Sequence, residues 1–496
     1  MVHPRLKLLL TVLLGTVLAV AVGSDVASGS YLWPTLTLAA GATIFLAWSR
    51  WPASALVLSL LLFGYIVGNR GFAQLYLANL LPILPAEFGL VVCGMILVAQ
   101  SAQRRELPLK RDLLNGLVLA WLLLGAARLA FDIRGQGLAA LRDSAMVYYA
   151  LFFFLGQALG AEAVSRRWLL RGLGAALAIL PVCFVAFDAE PAWFYTHLVI
   201  RDVPLILYKG DIAASCLGAG VFFFYHYMNQ GRRLAWLAML GCFAGAVFPL
   251  TRAALVGMAC AALIHVLARR WRMLLQLGLA TVVLGAASLA WTASQGRPVT
   301  ESRAFQVIEY ATTTLNISGT GTLTSYSGDR DVKGNPIDNN QFRLVWWETV
   351  TSETIRENPW FGVGFGYDLA REFLMEYGLM ADTEFNTRSP HSFVVNTFAR
   401  LGVAGLVVLL ALLAAMATET WRAAQAWRED AAASEAPALW AMCWVLFISA
   451  CFGVVLEGPM GAVVFWTILG LAHSTPAAAP ADLHPGASAD EVAASP

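Results

Sequence analysis

The feature that most constrains this chain is a long series of apolar runs, separated by short segments that carry most of the charge. A helix needs roughly 20 apolar residues to cross a bilayer, and most of the runs approach that length. Hydrophobic residues make up 58% of the 496 residues, charged residues make up 13%, and the mean hydropathy is +0.65. This composition excludes a string of soluble domains and predicts an all-α polytopic membrane protein.

The apolar runs predict about twelve to fourteen membrane-spanning helices. The count depends on how close pairs of runs are divided, around residues 50, 250–252 and 458–460. The candidate spans lie near residues 6–22, 34–48, 53–68, 86–100, 113–130, 144–160, 168–187, 211–228, 234–249, 253–268, 273–292, 398–417, 438–455 and 460–472.

The basic residues orient these spans, because short cytoplasmic loops retain Lys and Arg. With the N-terminus inside, the predicted cytoplasmic segments hold seventeen Lys and Arg residues, whereas the opposite short loops hold seven. Both ends of the chain are therefore predicted to be cytoplasmic. The seventeen include the adjacent pairs Arg104–Arg105, Lys110–Arg111, Arg166–Arg167, Arg232–Arg233 and Arg269–Arg270.

The pattern divides the chain into four parts. Residues 1–292 are predicted to form an N-terminal transmembrane bundle, 293–397 a large, mainly helical loop outside, and 398–473 the C-terminal spans. Residues 474–496 are rich in Ala, Pro, Ser and Asp, and they predict a disordered cytoplasmic tail.

The sequence gives little support for a metal, a cofactor or nucleic acid. The formal net charge is only +1, and the seven cysteines all fall inside apolar runs without the spacing of a zinc or redox site. No HExxH run, EF-hand spacing or GxSxG motif occurs. We therefore predict no metal and no cofactor, and membrane lipids as the surroundings.

Two segments of the large loop are informative. Residues 340–358 (NQFRLVWWETVTSETIREN) predict a helix with Asn340 as its N-cap. The following NPWFGVGFGY turn contains alternating glycines but lacks the strand and helix of a dinucleotide site. Close backbone packing, or approach to a sugar or lipid phosphate, is the favoured role of Gly364 and Gly366.

The second segment, residues 388–405 (RSPHSFVVNTFARLGVAG), predicts a helix that continues into the membrane. Ser389 fits its N-cap and Pro390 its first position, which places His391 in the first turn. The positive end of the helix dipole disfavours the imidazolium, so His391 is a candidate proton acceptor at headgroup depth. The alternative interpretation is a capping or interfacial histidine.

Several cationic residues occupy positions that the need for a soluble surface does not explain. Arg252 lies at a turn between two apolar runs, where a charge is costly unless it is paired or faces a ligand. Arg343 precedes the Trp346–Trp347 pair on the predicted loop helix. Converging arginines suit a pyrophosphate because each guanidinium donates two parallel hydrogen bonds. Pairing with loop carboxylates such as Glu348 or Asp368 remains the alternative.

Further residues are predicted to belong to the same site. Arg201 and Lys209, in the outer loop before the span at 211–228, could extend its basic zone. Possible substrate-lining residues are Tyr208, Trp347, Trp360, Gly364, Gly366 and Ser389, with core packing as the alternative role for the aromatic ones.

Four of these features together resemble the O-antigen ligase and polymerase superfamily, and most closely its lipopolysaccharide O-antigen ligases. They are Thr251-Arg252 at a span end, Arg343 with Trp347 on a helix, the NPWFGVGFG turn, and PHSFVVNTFARLGVAGL leading into the next span. The resemblance covers the multispan architecture and about sixty loop residues. Ser392 and Arg400 depart from the family pattern, which often has an amide after the histidine and an acidic residue before Leu-Gly.

The resemblance implies a GT-C-like membrane fold and an inverting, metal-independent glycan transfer at the periplasmic face of the bacterial inner membrane. The donor would be undecaprenyl-pyrophosphate-linked O-antigen and the acceptor lipid A-core. His391 would be the general base, and Arg252 and Arg343 would bind the pyrophosphate. An O-antigen polymerase, a protein O-oligosaccharyltransferase and, from another class, a lipid-linked glycan transporter stay open as alternatives.

Overall fold

The computed structural model describes residues 52–75, 84–104, 109–200, 202–247, 251–308, 336–376, 389–429 and 435–474. The predicted spans at 6–22 and 34–48, the tail after Ser474 and the candidate site residue Arg201 lie outside these residues.

The described chain is almost entirely helical, as the apolar pattern predicts. Its only strands there form a two-residue antiparallel pair, β1 (Val199–Ile200) and β2 (Val203–Pro204). The helices are α1 (Ala53–Phe63), which continues as a π-helix (Gly64–Gly68), α2 (Asn69–Gln74), α3 (Pro85–Arg104), α4 (Leu113–Gln136), α5 (Leu138–Asp143), α6 (Ala145–Tyr148), α7 (Leu151–Ala161), α8 (Ala163–Ala189), α9 (Pro191–His197), α10 (Gly210–Asn229), α11 (Arg233–Val247), α12 (Arg252–Leu267), α13 (Trp271–Ser294), α14 (Pro336–Glu357), α15 (Arg371–Glu376), α16 (Phe393–Glu429), α17 (Ala436–Ala450) and α18 (Pro459–His473).

These helices confirm an all-α polytopic membrane protein. In the described part of the chain, seven segments are long and apolar enough to cross a membrane, and four further apolar helices, α11, α12, α17 and α18, are shorter. The seven segments are Ala53–Gln74, Pro85–Ala102, Leu113–Gln136, Leu138–Ala161, Ala163–Ala189, Trp271–Ser294 and Phe393–Glu429.

The centre of the bundle is formed by α10, α17 and α18, whose side chains are nearly all buried. Small residues allow the helices to approach closely. Lipid tails are as apolar as the helix surfaces, so association of membrane helices depends on van der Waals packing between them. A Cβ on Gly470 would lie 2.0 Å from the carbonyl oxygen of Phe153, and one on Gly156 would lie 2.3 Å from that of Thr467. The α7–α18 contact therefore depends on both glycines.

Helix α16 is broken at Gly402, where the backbone has φ 63° and ψ −156°. The NPWFG turn fills the break: the Pro359 carbonyl accepts a hydrogen bond from Val403 N–H (2.9 Å), and the Trp360 carbonyl accepts one from Ala404 N–H (3.1 Å). Val363 N–H donates to the Ala399 carbonyl (2.7 Å) from the other side. The expected single helix running from His391 into the membrane is wrong, because the turn competes with the helix for these backbone groups.

Both predicted N-caps in the loop are also wrong. Helix α14 begins at Pro336, four residues before Asn340. Helix α16 begins at Phe393, and Ser392 caps it by accepting a hydrogen bond from Val395 N–H at 3.4 Å. Ser389 is not its N-cap and Pro390 is not its first residue, because His391 adopts a left-handed conformation (φ 54°) that interrupts the backbone before the helix starts.

Candidate functional site

The candidate site is a group of charged residues at one end of the bundle, where three helices begin. Lys209 directly precedes α10, Arg252 is the first residue of α12, and His391 lies two residues before α16. Unsatisfied N–H groups give each helix start a partial positive charge. Three helix starts and the cationic side chains of Lys209 and Arg252 make this end of the molecule suited to an anion.

Arg343 approaches this group from helix α14. Its Nη1 donates to the Phe452 carbonyl at 2.8 Å, in the segment 451–458 between α17 and α18, which we call the α17–α18 loop. Burial lowers the pKa of Arg343 most, nearby Arg252 lowers it further, and Asp211 opposes both. These interactions place the two arginines within electrostatic reach of each other, although 91 residues separate them in the sequence.

The imidazole of His391 belongs to the same group. Its pKa is lowered to about 4, chiefly by burial and then by the positive charges of Lys209 and Arg343, while Asp211 has the opposite effect. The ring packs edge-on against Trp346, with 5.8 Å between the ring centroids. His391 is therefore neutral at physiological pH and able to accept a proton.

Asp211 is a member of the group that the sequence analysis missed. Its carboxylate pairs with Lys209 at 3.5 Å and lies in the first turn of α10. A Cβ on Gly453 would lie 2.9 Å from Asp211 Oδ2, so this glycine lets the α17–α18 loop reach the carboxylate. The available signal was an acidic residue at the outer end of an apolar run, where an ionised group is costly without a role.

Glu457, in the α17–α18 loop, was also missed. Its carboxyl hydrogen-bonds to Ser389, whose hydroxyl in turn accepts from the His391 backbone N–H at 3.3 Å. Burial raises the pKa of Glu457 to about 7, against the opposing effects of the Ser389 hydrogen bond and of Lys209 and Arg400. Ser389, predicted as a substrate-lining residue, thus connects the turn that carries His391 to this carboxyl group. Asp382 and Glu384, the acidic residues closest to His391 in sequence, lie outside the described residues.

Lys209 is positioned by Asn69, at the junction of the π-helix and α2. Its backbone N–H donates to Asn69 Oδ1 at 3.0 Å, and Asn69 itself is fully buried with a positive φ of 52°. Neighbouring Tyr208 packs against Phe184 and Phe187, with ring centroids 5.2 Å and 5.4 Å away. Burial raises the pKa of Tyr208, so its hydroxyl stays protonated.

The predicted aromatic residues of the loop lie in two different environments. Trp347 is half-buried, donates its indole N–H to the Pro390 carbonyl at 2.5 Å, and contacts Phe452 with ring centroids 6.4 Å apart. Trp346 is fully buried and stacks on Phe373. Trp360 is 66% exposed, away from this packing.

The glycine turn packs against the protein itself. A Cβ on Gly364 would meet Arg128 and Asp132 of α4, and one on Gly366 would meet Gln136, each at less than 3 Å. Asp132 accepts a hydrogen bond from Phe365 N–H (2.7 Å). The sequence left close backbone packing and approach to a sugar or lipid phosphate open for Gly364 and Gly366, and their described neighbours are groups of the protein that do not include the cationic group.

Arg400 holds the turn from the side of α16. Its guanidinium donates to the Gly364 carbonyl (2.9 Å) and the Tyr367 carbonyl (2.7 Å), and it pairs with Asp143 at 3.0 Å. Only 3% of the Arg400 side chain and 10% of the Asp143 side chain are exposed. The residue that departs from the family pattern is therefore a buried structural cation with its own partner.

Residues 237–410, about a third of the chain, match the family model described as O-antigen ligase. This segment belongs to the O-antigen ligase superfamily. The matched residues include Arg252, Arg343 and His391, whereas Lys209, Asp211 and Glu457 lie outside the match. None of the curated proteins compared with the chain matches it. The match over this segment indicates a glycosyltransferase-like enzyme, and together with the seven apolar helices it indicates a multi-pass membrane protein.

Proposed function

We propose that this protein transfers O-antigen polysaccharide from undecaprenyl pyrophosphate to a sugar hydroxyl of lipid A-core, at the periplasmic face of the bacterial inner membrane. The supporting observation is that the positive charges of Lys209 and Arg343 lower the pKa of His391 and that the charge of Arg252 lowers the pKa of Arg343. A neutral base beside several cations fits a reaction in which a hydroxyl loses a proton while an anionic group leaves.

In the proposed mechanism, Arg252, Arg343 and Lys209 bind the pyrophosphate of the donor. The acceptor oxygen attacks the anomeric carbon, its proton passes to His391, and the bond from the anomeric carbon to the phosphate oxygen breaks, with the electron pair leaving on the pyrophosphate. Attack from the face opposite the leaving group inverts the anomeric configuration. The cations stabilise the charge that grows on the leaving group. Pyrophosphate leaves well by itself, so no general acid is required.

The low pKa of His391 fits this sequence of events. Without substrate, burial and the positive charges of Lys209 and Arg343 hold the imidazole neutral. A bound pyrophosphate brings negative charge to the same cations, which raises the proton affinity of the imidazole. The base therefore becomes stronger only when donor occupies the site. Glu457 and Ser389 would orient the turn that carries His391 through the hydrogen bonds that Ser389 makes with the Glu457 carboxyl and with the His391 backbone N–H.

Reconstitution of the purified protein with carrier-linked glycan and lipid A-core tests the proposal. We expect His391→Ala to bind donor but to form no product, and Arg343→Gln to bind donor weakly. Arg356→Gln is the matched control, because Arg356 lies on the same helix and its side chain is 61% exposed. Equal losses in Arg343→Gln and Arg356→Gln would contradict a donor-binding role for Arg343.

The identity of the acceptor distinguishes the remaining candidate functions, and it can be determined from the products in cells without the protein. Cells without the protein that accumulate full-length carrier-linked polymer beside unmodified lipid A-core indicate a ligase. Lipid A-core bearing a single repeat indicates a polymerase, and loss of protein glycosylation indicates a protein O-oligosaccharyltransferase. A lipid-linked glycan transporter predicts that His391→Ala leaves glycan transfer in the reconstituted system unaffected.

A further inference from the structure

The first described span is broken where it reaches the candidate site. Helix α1 gives way to the π-helix Gly64–Gly68, and α2 then begins at Asn69. Short π-helical segments within helices are rare, and they are frequent at functional sites. A break of this kind also releases backbone groups that an unbroken helix would use internally. These groups are available to a neighbouring segment.

The neighbouring segment is the one that leads to Lys209. The Gly68 carbonyl accepts a hydrogen bond from Leu207 N–H at 3.2 Å, and Gly71 N–H donates to the Leu207 carbonyl at 3.3 Å. A Cβ on Gly71 would lie 2.3 Å from the Pro204 carbonyl oxygen, so the two backbones meet without room for a side chain. The broken span therefore fixes the chain immediately before Lys209.

Asn69, in the middle of the break, has a backbone conformation that normally requires glycine. Its φ of 52° and ψ of −122° are close to those of the first central residue of a type II′ turn. Its side chain is fully buried, and its amide nitrogen makes no hydrogen bond with the described residues. A strained backbone and an unsatisfied buried donor both reduce stability, and glycine would remove both costs. The contribution of asparagine here lies in its side-chain oxygen.

This oxygen connects two cationic residues that are remote in the sequence. Asn69 Oδ1 accepts hydrogen bonds from the backbone N–H of Lys209 at 3.0 Å and of Arg70 at 2.9 Å. Two N–H donors facing one atom are compatible only with the amide oxygen, so the orientation of the amide is settled. Arg70 is exposed, and the structure gives its guanidinium no ion pair or hydrogen bond within the described part of the chain.

We infer that Asn69 is a positioning residue of the proposed reaction: it holds Lys209 and Arg70 side by side, and Arg70 binds a phosphate group of a substrate. A guanidinium suits this role because it donates two parallel hydrogen bonds to phosphate oxygens. Both substrates carry phosphate, the donor as pyrophosphate and lipid A-core on its sugars. Asn69, Arg70 and Lys209 all lie outside the matched residues 237–410. This inference rests on the proposed function.

Arg70→Gln tests the phosphate contact in the reconstituted full-length protein, with donor and acceptor varied separately. We expect the KM for one substrate to rise about fivefold or more, with a smaller change in kcat. A rise for the donor identifies the carrier pyrophosphate as the ligand, and a rise for the acceptor identifies the phosphates of lipid A-core. Arg134→Gln is the matched control, because Arg134 is an exposed arginine in the last turn of α4. Unchanged KM values for both substrates, or equal changes in the two variants, would overturn the role of Arg70.

Asn69→Gly tests the positioning role, because it allows the same backbone conformation and removes only the amide. The KM that rises in Arg70→Gln should rise here as well. The acid limb of kcat/KM should also move to higher pH, as in Lys209→Gln, because the ammonium is no longer held near His391. Arg70→Gln should leave that limb in place. The charged and titratable groups around His391 are all unaltered by Asn69→Gly: Lys209, Asp211, Arg343, Arg252 and Glu457.

A double variant distinguishes action through Lys209 from a general loss of structure. In Asn69→Gly, Lys209→Gln the acid limb should lie where Lys209→Gln alone places it, since Asn69 acts through Lys209. Asn115→Ala is the control for loss of a buried amide: Asn115 Nδ2 donates to the Lys110 carbonyl at 2.6 Å and to Gln157 Oε1 at 2.8 Å. It should lower the unfolding temperature and leave both KM values and the acid limb unchanged.

The outcomes separate this inference from the proposed function. Additive shifts of the acid limb in the double variant, or wild-type KM values and pH dependence in folded Asn69→Gly, would overturn the positioning role while transfer itself persists. Thermal unfolding of each variant identifies any loss of folding. Absence of transfer by the unaltered protein would instead refute the proposed function.

Discussion

The indole N–H of Trp347 donates to the carbonyl of Pro390 at 2.5 Å, so the helix that carries Arg343 is joined to the residue directly before His391. The adjacent Trp346 contacts the His391 ring itself. Trp346 and Trp347 therefore fix the loop helix α14 relative to the turn that carries His391. This contact brings the helix of Arg343 to the histidine, although the two residues are remote in the sequence.

Trp347→Phe should reduce transfer by about three- to tenfold, because it removes one hydrogen bond, worth about 1 kcal/mol, while it keeps most of the apolar ring. The relevant measurement is kcat with saturating donor and acceptor. Trp360→Phe is the matched control and should change little, since Trp360 is 66% exposed. Wild-type kcat in Trp347→Phe would show that this hydrogen bond does not hold the site together.

The pH dependence of transfer should follow the lowered pKa of His391. The imidazole takes up its proton near pH 4 instead of its ordinary value of 6.5, so the neutral form persists as the pH falls through 6.5. We therefore expect kcat/KM, which reports on free enzyme, to decline only as the pH approaches 4. The acid limb of kcat should lie at higher pH. The negative charge of bound pyrophosphate offsets the positive charges of Lys209 and Arg343, and this raises the pKa of His391. An acid limb of kcat/KM at 6.5 would contradict this account.

Lys209→Gln should move the acid limb of kcat/KM to higher pH. Among the charges that lower the pKa of His391, Lys209 has the largest effect, and its removal makes protonation of the imidazole easier. The KM for donor should also rise, because one phosphate-binding cation is lost. Arg356→Gln again serves as the control, since it removes a positive charge from α14 without a contribution to the His391 pKa.

Gly402→Ala should destabilise the protein by about 1 to 3 kcal/mol or more, measured by thermal or denaturant unfolding in detergent. Gly402 has φ 63°, and an added Cβ would lie 2.4 Å from the carbonyl carbon of Trp360. Gly285→Ala on α13 is the control: nothing lies within 4 Å of its added Cβ, and alanine favours the helix. Equal stability of the two variants would argue against a turn inserted in α16.

Arg400→Met should cost about 3 to 5 kcal/mol of stability, because it removes the buried cation beside Asp143 and leaves that carboxylate only the exposed Arg142 at 3.5 Å and the Gly366 N–H at 3.0 Å. The double variant Arg400→Met, Asp143→Asn should recover part of that loss, since it also removes the buried negative charge. Chemical unfolding of the wild type, the two single variants and the double variant gives the coupling energy directly. A coupling energy near zero would contradict a structural role for this ion pair.

Much of the fold was predictable because the bilayer imposes one rule on every spanning segment: backbone polar groups must be satisfied within the helix. The run predicted at 113–130 corresponds to α4 (Leu113–Gln136), and the run at 460–472 to α18 (Pro459–His473). Helix breaks inside apolar sequence were not predictable in the same way. At Gly402 the backbone partners come from Pro359 and Trp360, some forty residues away, and local sequence does not contain that information.

The sequence by itself determined which residue types were available for an anion and a proton. Arg252 stands out because an isolated charge beside an apolar run is costly, and His391 because it follows Ser389-Pro390 at an expected helix start. Only the tertiary structure decided which charges meet. Asp211 pairs with Lys209 at the start of α10, Glu457 reaches the histidine turn from the α17–α18 loop, and Arg400 pairs with Asp143. Electrostatic interactions depend on distance and burial, and these are set by packing between helices that are remote in the chain.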